Sequence, residues 1–445
     1  MLRFHLAAMI GSRWLQAILA APTTAPPNYG STSTTGETPS YYPGEPCVLP
    51  GPETRTNVCY VDTIGTGDDA PAIVDAFQRC GKDGKVVFNA TTYHIDSVMN
   101  TTGLSNVEVD VQGTLLWGTD IDYWLSHSLP VGYQNQSSAW FFGGDQIHLH
   151  SSTGTGSFDG NGQVWYDFTN GASNYPRRPH QITFSHLTNS VIEDMRFLQS
   201  QMWTMTLINS ENVLLQDIYV NSTDAAKRDQ YGPLNTDGAD TIYSNNITFA
   251  RWVVDCGDDH ISPKANSSNI LVEDATFYHG SGIALGSIGQ FAGQYEFIEN
   301  VTARNIETTG ARQGGYIKTW TGVQKGNPPN GGGGGKGYMK NIVFNNWTLR
   351  DVPLAVDITQ CVNFEGGTGD CDTSTFQVSN LHWTAIRGTQ RNREVARLQC
   401  SAAAPCTGVE ISNVNMTVQG TGELATEYLC SNVVGPVGFR CGGVA

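Results

Sequence analysis

The sequence predicts an all-β chain wound into a parallel β-helix, closed at its start by one short helix. Fifty glycines and only 15% charged residues among 445 are typical of many short strands joined by turns. Asparagine followed by a short β-prone run recurs along the chain, at several intervals close to 23 residues. Strands this short cannot bury a face alone, so neighbouring repeats must stack. A large β-sandwich or a propeller is the alternative, although no blade signature is present.

The N-terminal segments come before this fold. Residues 1–21 resemble a secretory signal peptide, because Arg3 and Arg13 are followed by the apolar run 14–21. Residues 22–46 are rich in Pro, Thr, Ser and Gly and are predicted to be a flexible leader. Residues 47–445 then form a single domain. No later run approaches the roughly 18 apolar residues that a membrane span needs.

A short helix is predicted at the start of the domain. Asp68 and Asp69 precede Ala70 and Pro71, and acidic residues followed by proline are typical of a helix N-terminus. The helix continues to about Cys80, with an apolar stripe formed by Ala72, Ile73, Ala76 and Phe77. We expect it to cap the open end of the β-helix core. After it, helical signals nearly stop, which disfavours leucine-rich and ankyrin arrays.

The repeats that follow share an asparagine at the turn before each short strand. They begin at Asn106, Asn189, Asn212, Asn246, Asn269, Asn300, Asn341 and Asn413. Asparagine side chains hydrogen-bond local backbone groups and tolerate turn conformations. We therefore expect these residues to stack on one another from coil to coil.

Composition narrows the function classes. The net charge of −16 argues against nucleic acid and against anionic membranes as partners. Nine glycosylation sequons indicate a secreted, extracellular glycoprotein. They are at Asn89, Asn100, Asn135, Asn221, Asn246, Asn266, Asn300, Asn346 and Asn415.

The ten cysteines also suit an oxidising compartment. Close spacing predicts three disulfides, Cys361 with Cys371, Cys400 with Cys406 and Cys430 with Cys441, and Cys59 and Cys80 bracket the helix. Cys47 and Cys256 remain, and the sequence leaves their pairing open. No C-x-x-C pair exists, so no zinc site is predicted.

Two acidic clusters carry the chemistry. Asn235-Thr236-Asp237-Gly238 and Gly257-Asp258-Asp259-His260 place Asp237 and Asp258 21 positions apart, close to one repeat. Residues one coil apart lie side by side, so the three carboxylates are expected to meet. Crowded carboxylates have separated pKa values, which supplies one acid and one base. The alternative is that these aspartates are ordinary turn residues.

These residues resemble glycoside hydrolase family 28, the polygalacturonases and rhamnogalacturonases. The resemblance covers about residues 57–420. It rests on five segments: Phe158-Asp159-Gly160-Asn161-Gly162 with Trp165, the NTDG at 235–238, the Asp258-Asp259 pair, the glycine-rich run 280–289, and Tyr316-Ile317-Lys318. It implies a right-handed parallel β-helix of the pectin-lyase-like type. It also implies an inverting glycosidase with no metal and no cofactor.

The resemblance also implies a function for each residue. Asp258 would be the general acid, and Asp237 and Asp259 would hold and deprotonate the attacking water. Lys318 would pair with a uronate carboxylate, and Asn235 would position the sugar or Asp237. These expectations are carried over by motif alone.

Two positions depart from the family pattern. Ser281 stands where the family has its active-site histidine, and Tyr316 stands where it has an arginine. His279 and His260 lie nearby in sequence and are candidates to compensate. These departures weaken the case for an ordinary endo-polygalacturonase.

The first choice is therefore a secreted, monomeric exopolygalacturonase (galacturan 1,4-α-galacturonidase) acting on pectic polysaccharide. Residues 231–233 and the glycine tract 331–335, a predicted mobile loop, would wall one end of its groove. The alternative is a rhamnogalacturonan hydrolase. Less favoured are a pectin lyase, in which the carboxylates would bind calcium, and a non-catalytic carbohydrate-binding β-helix.

Overall fold

The computed structural model of the protein describes residues 54–326, 330–362 and 370–445. The signal peptide 1–21, the leader 22–46 and Cys47 lie outside the described residues, so those expectations stay predictions. The described chain is a parallel β-helix, as the sequence predicts. Among the described residues, no helix has both the length and the apolar character needed to cross a membrane.

Three ladders of parallel strands run along the β-helix, and each coil contributes to all three in its middle part. The first ladder contains Asn57–Tyr60, Lys82–Phe88, Met99–Val111, Trp140–His150, Thr188–Glu193, Glu211–Gln216, Asn245–Ala250, Ser267–Glu273, Tyr295–Thr309, Lys336–Val352, Gln377–Gln390, Cys406–Ser412 and Val433–Val434.

The second ladder contains Thr92–Ile95, Thr114–Trp117, Ser157–Asp159, Arg196–Leu198, Tyr219–Asn221, Val253–Cys256, Thr276–His279 and Asn415–Val418, with the ends of three long first-ladder strands between the last two. The third ladder contains Ile182–Ser185, Met205–Ile208, Ala239–Ile242, Ile261–Pro263, Ile283–Ile288, Gln313–Trp320, Leu354–Val362, Glu394–Gln399 and Glu427–Ser431. A separate small sheet is formed by Leu129–Pro130, Ser137–Ser138 and Pro179–His180.

The core consists of columns of apolar side chains in register. Alternate residues of a strand point to opposite faces, so in-register parallel pairing places one inward residue above the next. One fully buried first-ladder column is Val213, Ile247, Ile270, Val301, Ile342, Leu381 and Val409. The sequence intervals between repeats vary because loops of different length connect the strands, whereas the register between the strands is kept.

The capping helix is confirmed at Ala70–Cys80, with Ile73, Ala76 and Phe77 buried. The Cys59–Cys80 disulfide ties it to the first coil. The other three predicted disulfides are also present: Cys361–Cys371, Cys400–Cys406 and Cys430–Cys441. Two short helices, Ile121–His127 and Gly162–Thr169, and one 3-10 turn, Cys371–Thr373, complete the described elements and are not foreseen by the sequence analysis.

The asparagine stack is confirmed by direct hydrogen bonds between coils. The side-chain amide of Asn212 donates to Asn189 at 2.7 Å, and that of Asn300 donates to Asn269 at 2.9 Å. The same bond links Asn246 to Asn212, Asn341 to Asn300 and Asn380 to Asn341. These asparagines have φ between +47° and +60°, a region that asparagine tolerates better than most residues. The repeated residue therefore both makes the turn and links the coils.

Candidate active site

Hydrogen bonds join the two acidic segments into one unit. The Gly257 amide donates to the Thr236 hydroxyl at 2.8 Å, and the Asn235 amide donates to the Asp258 carboxylate at 2.9 Å. The Gly238 amide also donates to the Asp259 carbonyl at 2.9 Å. The two segments precede the third-ladder strands Ala239–Ile242 and Ile261–Pro263, which pair directly. The fold therefore makes one site from motifs that are separate in sequence.

The three carboxylates are crowded. Asp237, Asp258 and Asp259 each place an oxygen within 4.8 Å of the others. Asp237 and Asp259 are each 2% exposed, whereas Asp258 is partly exposed. One oxygen of Asp237 and one of Asp259 accept no hydrogen bond from the described residues. Both of these oxygens are buried.

The surroundings favour a protonated Asp258. Burial raises the pKa of its carboxyl group, and the neighbouring Asp259 raises it further, against the opposing charges of Lys318 and Arg312. Burial likewise raises the pKa of Asp237 well above its usual value, with added repulsion from Asp240 and Asp258. A carboxylic acid that keeps its proton in mildly acidic solution can serve as a general acid.

Lys318 is paired with a carboxylate of the protein. Its ammonium group lies 2.7 Å from Asp259, with 17% of the lysine side chain and 3% of the aspartate side chain exposed. Burial alone would lower the pKa of Lys318, but Asp259 and Asp258 raise it overall. The sequence expectation that Lys318 pairs with a uronate stays a prediction. In this structure, its ammonium is paired with the Asp259 carboxylate.

A second buried ion pair lies directly beneath the site. Lys264 is 3.0 Å from Asp240, with 4% and 0% of their side chains exposed, and it also lies over the Trp203 ring. Lys264 donates to the Ser262 hydroxyl at 3.0 Å, and that hydroxyl donates to Asp259 at 3.2 Å. Sequence reasoning missed this pair. The available signal was two charged residues within β-prone runs immediately after the two acidic clusters.

Ser281 and Arg312 adjoin the segment that carries the acid. The Ser281 amide donates to the Asp258 carbonyl at 2.9 Å, which fixes the backbone of the acid. Arg312 donates to the Ser281 hydroxyl at 3.1 Å and to the Gly257 carbonyl at 2.8 Å. Arg312 is another residue that sequence reasoning missed, since a single arginine outside any motif gives no signal.

The side-chain contacts of the two candidate histidines in the described structure are not with Asp237, Asp258 or Asp259. His260 is fully buried, stacks on Phe277 and contacts the Tyr278 carbonyl through Nε2 at 3.0 Å. Burial lowers its pKa to about 4. His279 lies on the outer face of the second ladder, where its contact with Asp255 at 2.7 Å raises its pKa. The structure therefore gives no support to the expectation that either replaces the family histidine beside the acid.

Tyr316 lies inside the site. Its ring is mostly buried, and the Lys318 ammonium is 5.1 Å from the ring centre. Burial raises the pKa of its hydroxyl, so Tyr316 is neutral. An uncharged aromatic ring thus occupies the position at which the sequence comparison expects an arginine.

One wall of the site is built by segments hydrogen-bonded to the acidic unit. The Asn235 side-chain oxygen accepts from the Asn174 amide at 2.6 Å and from the Ser173 hydroxyl at 3.2 Å. Asn235 therefore anchors a loop. The Gly280 amide donates to the Tyr231 carbonyl at 2.9 Å, and a Cβ at Gly257 would overlap the Pro233 carbonyl. Residues 231–233 thus pack directly on the segment that carries Asp258.

A second wall connects distant coils. The Gln134 side-chain amide donates to Gln290 at 2.6 Å, so the loop after Leu129–Pro130 reaches the end of Ile283–Ile288. In the glycine tract, the amides of Gly332 and Gly333 donate to the Gln290 carbonyl at 2.7 and 2.9 Å. The glycine tract therefore makes backbone hydrogen bonds to Gln290 in this structure, and its mobility stays a prediction.

The three clustered aspartates are a residue type that binds cations, so the fit of this cluster to calcium can be tested. Calcium takes six to eight oxygen ligands. Here Asp259 already bears the Lys318 ammonium at 2.7 Å, which places a positive charge beside the three carboxylates. This charge disfavours a divalent cation, and with it the calcium-dependent lyase alternative.

Comparisons with known proteins identify the family and relatives of the chain. Residues 80–441 match the family described as Glycosyl hydrolases family 28. The chain is 50% identical over 391 residues to α-L-rhamnosidase rgxB of Aspergillus niger, covering 87% of this chain and 90% of that protein. It is 38% identical over 410 residues to a putative galacturan 1,4-α-galacturonidase A of Aspergillus niger, covering 86% and 93%.

Solved structures agree with the fold. The endo-xylogalacturonan hydrolase of Aspergillus tubingensis superposes with a TM-score of 0.73 at 25% identity, covering 87% of this chain and 99% of that chain. An exopolygalacturonase of Thermotoga maritima gives a TM-score of 0.62 at 16% identity, covering 87% and 94%, a likeness that concerns the fold alone.

Proposed function

The chain belongs to glycosyl hydrolases family 28, and from that premise we propose that it hydrolyses terminal α-L-rhamnose from galacturonate-containing pectin. The observation that carries this proposal is the 50% identity to an α-L-rhamnosidase across most of both chains. Identity to the putative galacturonidase is lower, at 38%. The proposal therefore adopts the rhamnogalacturonan alternative of the sequence analysis over its first choice.

The charges of the site support a neutral terminal sugar. A terminal galacturonate carries a carboxylate that needs a nearby cation, whereas rhamnose has an uncharged methyl group on the same carbon. Tyr316 supplies a neutral ring, and Lys318 is paired with Asp259. Lys264 is fully buried in its pair with Asp240. An uncharged ring beside two ammonium groups that are already paired with aspartates suits a deoxy sugar better than a uronate.

The closeness of the walls supports action at a chain end. Asp237 and Asp259 are almost inaccessible, and loops anchored on Asn235 and Gly257 crowd the acidic unit. A polysaccharide that continued in both directions would need an open groove past these carboxylates. A terminal sugar needs only a pocket.

The roles follow from protonation and contacts. Asp258 donates its proton to the oxygen of the leaving sugar. Asp237 and Asp259 bind the attacking water, and Asp259, which is paired with Lys318, accepts the proton that this water releases. The carboxylate oxygens are closer than the roughly 6.5–9.5 Å of most inverting pairs. Single displacement with inversion therefore rests on the family resemblance, and product stereochemistry tests it.

A galacturonidase is the second candidate, favoured by relatives named for that activity at 37–38% identity. We further propose that the protein is secreted and monomeric. The four disulfides fit an oxidising compartment.

Product analysis on two substrates tests the proposal. Rhamnogalacturonan oligosaccharides with rhamnose at the non-reducing end and oligogalacturonides are incubated side by side with the enzyme, and products are separated by size and identity. Monomeric rhamnose from the first time point is expected. Galacturonate from the second substrate would support the second candidate, and mid-sized oligomers appearing first would contradict action at the chain end.

A further inference from the structure

We propose that Arg312 binds the carboxylate of the uronate on the leaving-group side of the scissile bond and so restricts the enzyme to acidic aglycones. The inference rests on the proposed function, because it takes a uronate as the sugar that is left behind. It assigns a substrate contact to a residue outside every motif of the sequence.

Arg312 is held against the segment that carries the acid. It donates from Nη1 to the carbonyl of Gly257, the residue directly before Asp258, at 2.8 Å. Its guanidinium lies 4.5 Å from the centre of the Tyr231 ring. A second arginine at that ring is Arg391, which donates to the Tyr231 hydroxyl at 3.1 Å and pairs with Asp351. Arg312 is thus positioned before substrate arrives.

The outer nitrogen of Arg312 is the part available to a ligand. Nη2 has a long contact of 3.4 Å to Asp229, whose side chain is 46% exposed. An exposed pair of this length contributes little. A substrate carboxylate can therefore displace Asp229 and accept from Nη2 in a desolvated setting, since only 22% of the Arg312 side chain is exposed.

Substrate chemistry places a carboxylate near this nitrogen. In a uronate joined through O4, the carboxylate is attached to C5, the carbon next to the one that bears the scissile oxygen. That oxygen must contact Asp258 to receive its proton. A carboxylate one carbon further falls beside the acid, where Arg312 lies. A planar guanidinium suits a carboxylate better than an ammonium does.

The other cations near the site are paired or buried. Lys318 and Lys264 pair with Asp259 and Asp240. Arg178 is 1% exposed and donates to the backbone carbonyls at 201 and 234, and its Nη2, which has no hydrogen-bond partner among the described residues, is buried. Among the described residues around the carboxylates, Arg312 combines partial exposure with a displaceable partner.

The test compares an acidic with a neutral aglycone. The substrates are rhamnosyl-galacturonate and the same disaccharide with its carboxyl group reduced, rhamnosyl-galactose. The variants are Arg312→Ala, Arg312→Lys and Asp229→Ala. Arg391→Ala is the matched control, because it removes another arginine that contacts the same tyrosine. Rhamnose release gives kcat/KM for each pair.

Arg312→Ala is expected to lower kcat/KM about 10- to 100-fold on the acidic substrate, the range of hydrogen bonds to charged groups, and less than threefold on the neutral one. Arg312→Lys should give an intermediate loss, and Asp229→Ala should leave the acidic substrate at least as good as before. Equal losses on both substrates in Arg312→Ala and Arg312→Lys would overturn the proposal and leave Arg312 a support of Gly257.

The failure of the proposed function gives a different result. In that case wild-type enzyme releases no rhamnose from either disaccharide. The same comparison then uses galacturonosyl-galacturonate and galacturonosyl-galactose. A selective loss on the acidic aglycone would still support Arg312, and its absence would still overturn it.

Discussion

Replacing Asp258 by asparagine tests the general acid at the site. The amide has almost the shape of the carboxylic acid but no proton to donate to the leaving oxygen. Loss of general acid catalysis lowers rates by about 10²–10⁴-fold. We therefore expect kcat for rhamnose release from a rhamnogalacturonan oligosaccharide to fall within that range.

The structure also gives the expected effect on stability. The Asp258 carboxylate accepts hydrogen bonds from the backbone amides of Asn235 at 2.9 Å and Asp259 at 3.1 Å. An asparagine keeps one acceptor oxygen, so one of these bonds is lost, at a cost of about 1 kcal/mol. Removal of like-charge repulsion with Asp259 offsets part of this cost. The melting temperature should change by no more than about 4 °C.

Leaving-group chemistry makes the test specific. A dinitrophenyl rhamnoside leaves without protonation, so Asp258→Asn should retain activity on it within about tenfold of wild type while losing the natural substrate. Asp75→Asn, an exposed carboxylate on the capping helix, is the matched control and should match wild type on both. Equal losses on both substrates in Asp258→Asn would refute the assignment.

Three further predictions concern polar side chains. Lys318→Met should lower kcat at least tenfold on acidic and neutral substrates alike, because it leaves Asp259 buried without its partner; a rise confined to KM for uronate-rich substrates would instead favour the role expected from sequence. Burial raises the pKa of Asp357 to about 7 from 3.8. The Asp357 carboxyl group therefore lowers the free energy of unfolding more and more as the pH rises from about 4 to about 7. Asp357→Asn should leave the free energy of unfolding unchanged at pH 3.5 and raise it at pH 7.5, by at most about 4 kcal/mol. Asn341→Ala should destabilise by about 2–4 kcal/mol in denaturant unfolding, since it removes two inter-coil hydrogen bonds and places alanine at φ +60°; Asn341→Gly should cost less, and equal costs would show that the backbone conformation does not matter.

The fold was predictable from the sequence because its repeating unit is local. Asn212, Asn300 and Asn341 each stand before a short apolar run, so one short segment contains the residues that form the turn, the strand and the asparagine stack. The capping helix was equally readable from Asp69 and its apolar stripe. In contrast, the helix Gly162–Thr169 lies between the strands Ser157–Asp159 and Pro179–His180 and does not belong to the repeat.

The site could be predicted only in part, because only some of its contacts lie within one repeat. Asp237 and Asp258 are one repeat apart, so stacking alone brings them together. The partner of Lys318 was not predictable, because a side chain that can reach a substrate can also reach Asp259, and only the three-dimensional distances decide between them. Arg312 approaches Gly257 across 55 residues, which no spacing rule anticipates.

The stereochemistry of the first product tests whether Asp258 protonates the leaving group while Asp237 and Asp259 activate a water in a single displacement. Proton NMR can follow the anomeric signal of rhamnose released from a rhamnogalacturonan oligosaccharide before mutarotation. We expect β-L-rhamnose to appear first and the α anomer to grow in later. Initial release of α-L-rhamnose would show retention through a covalent intermediate and would contradict the assignment of these three carboxylates.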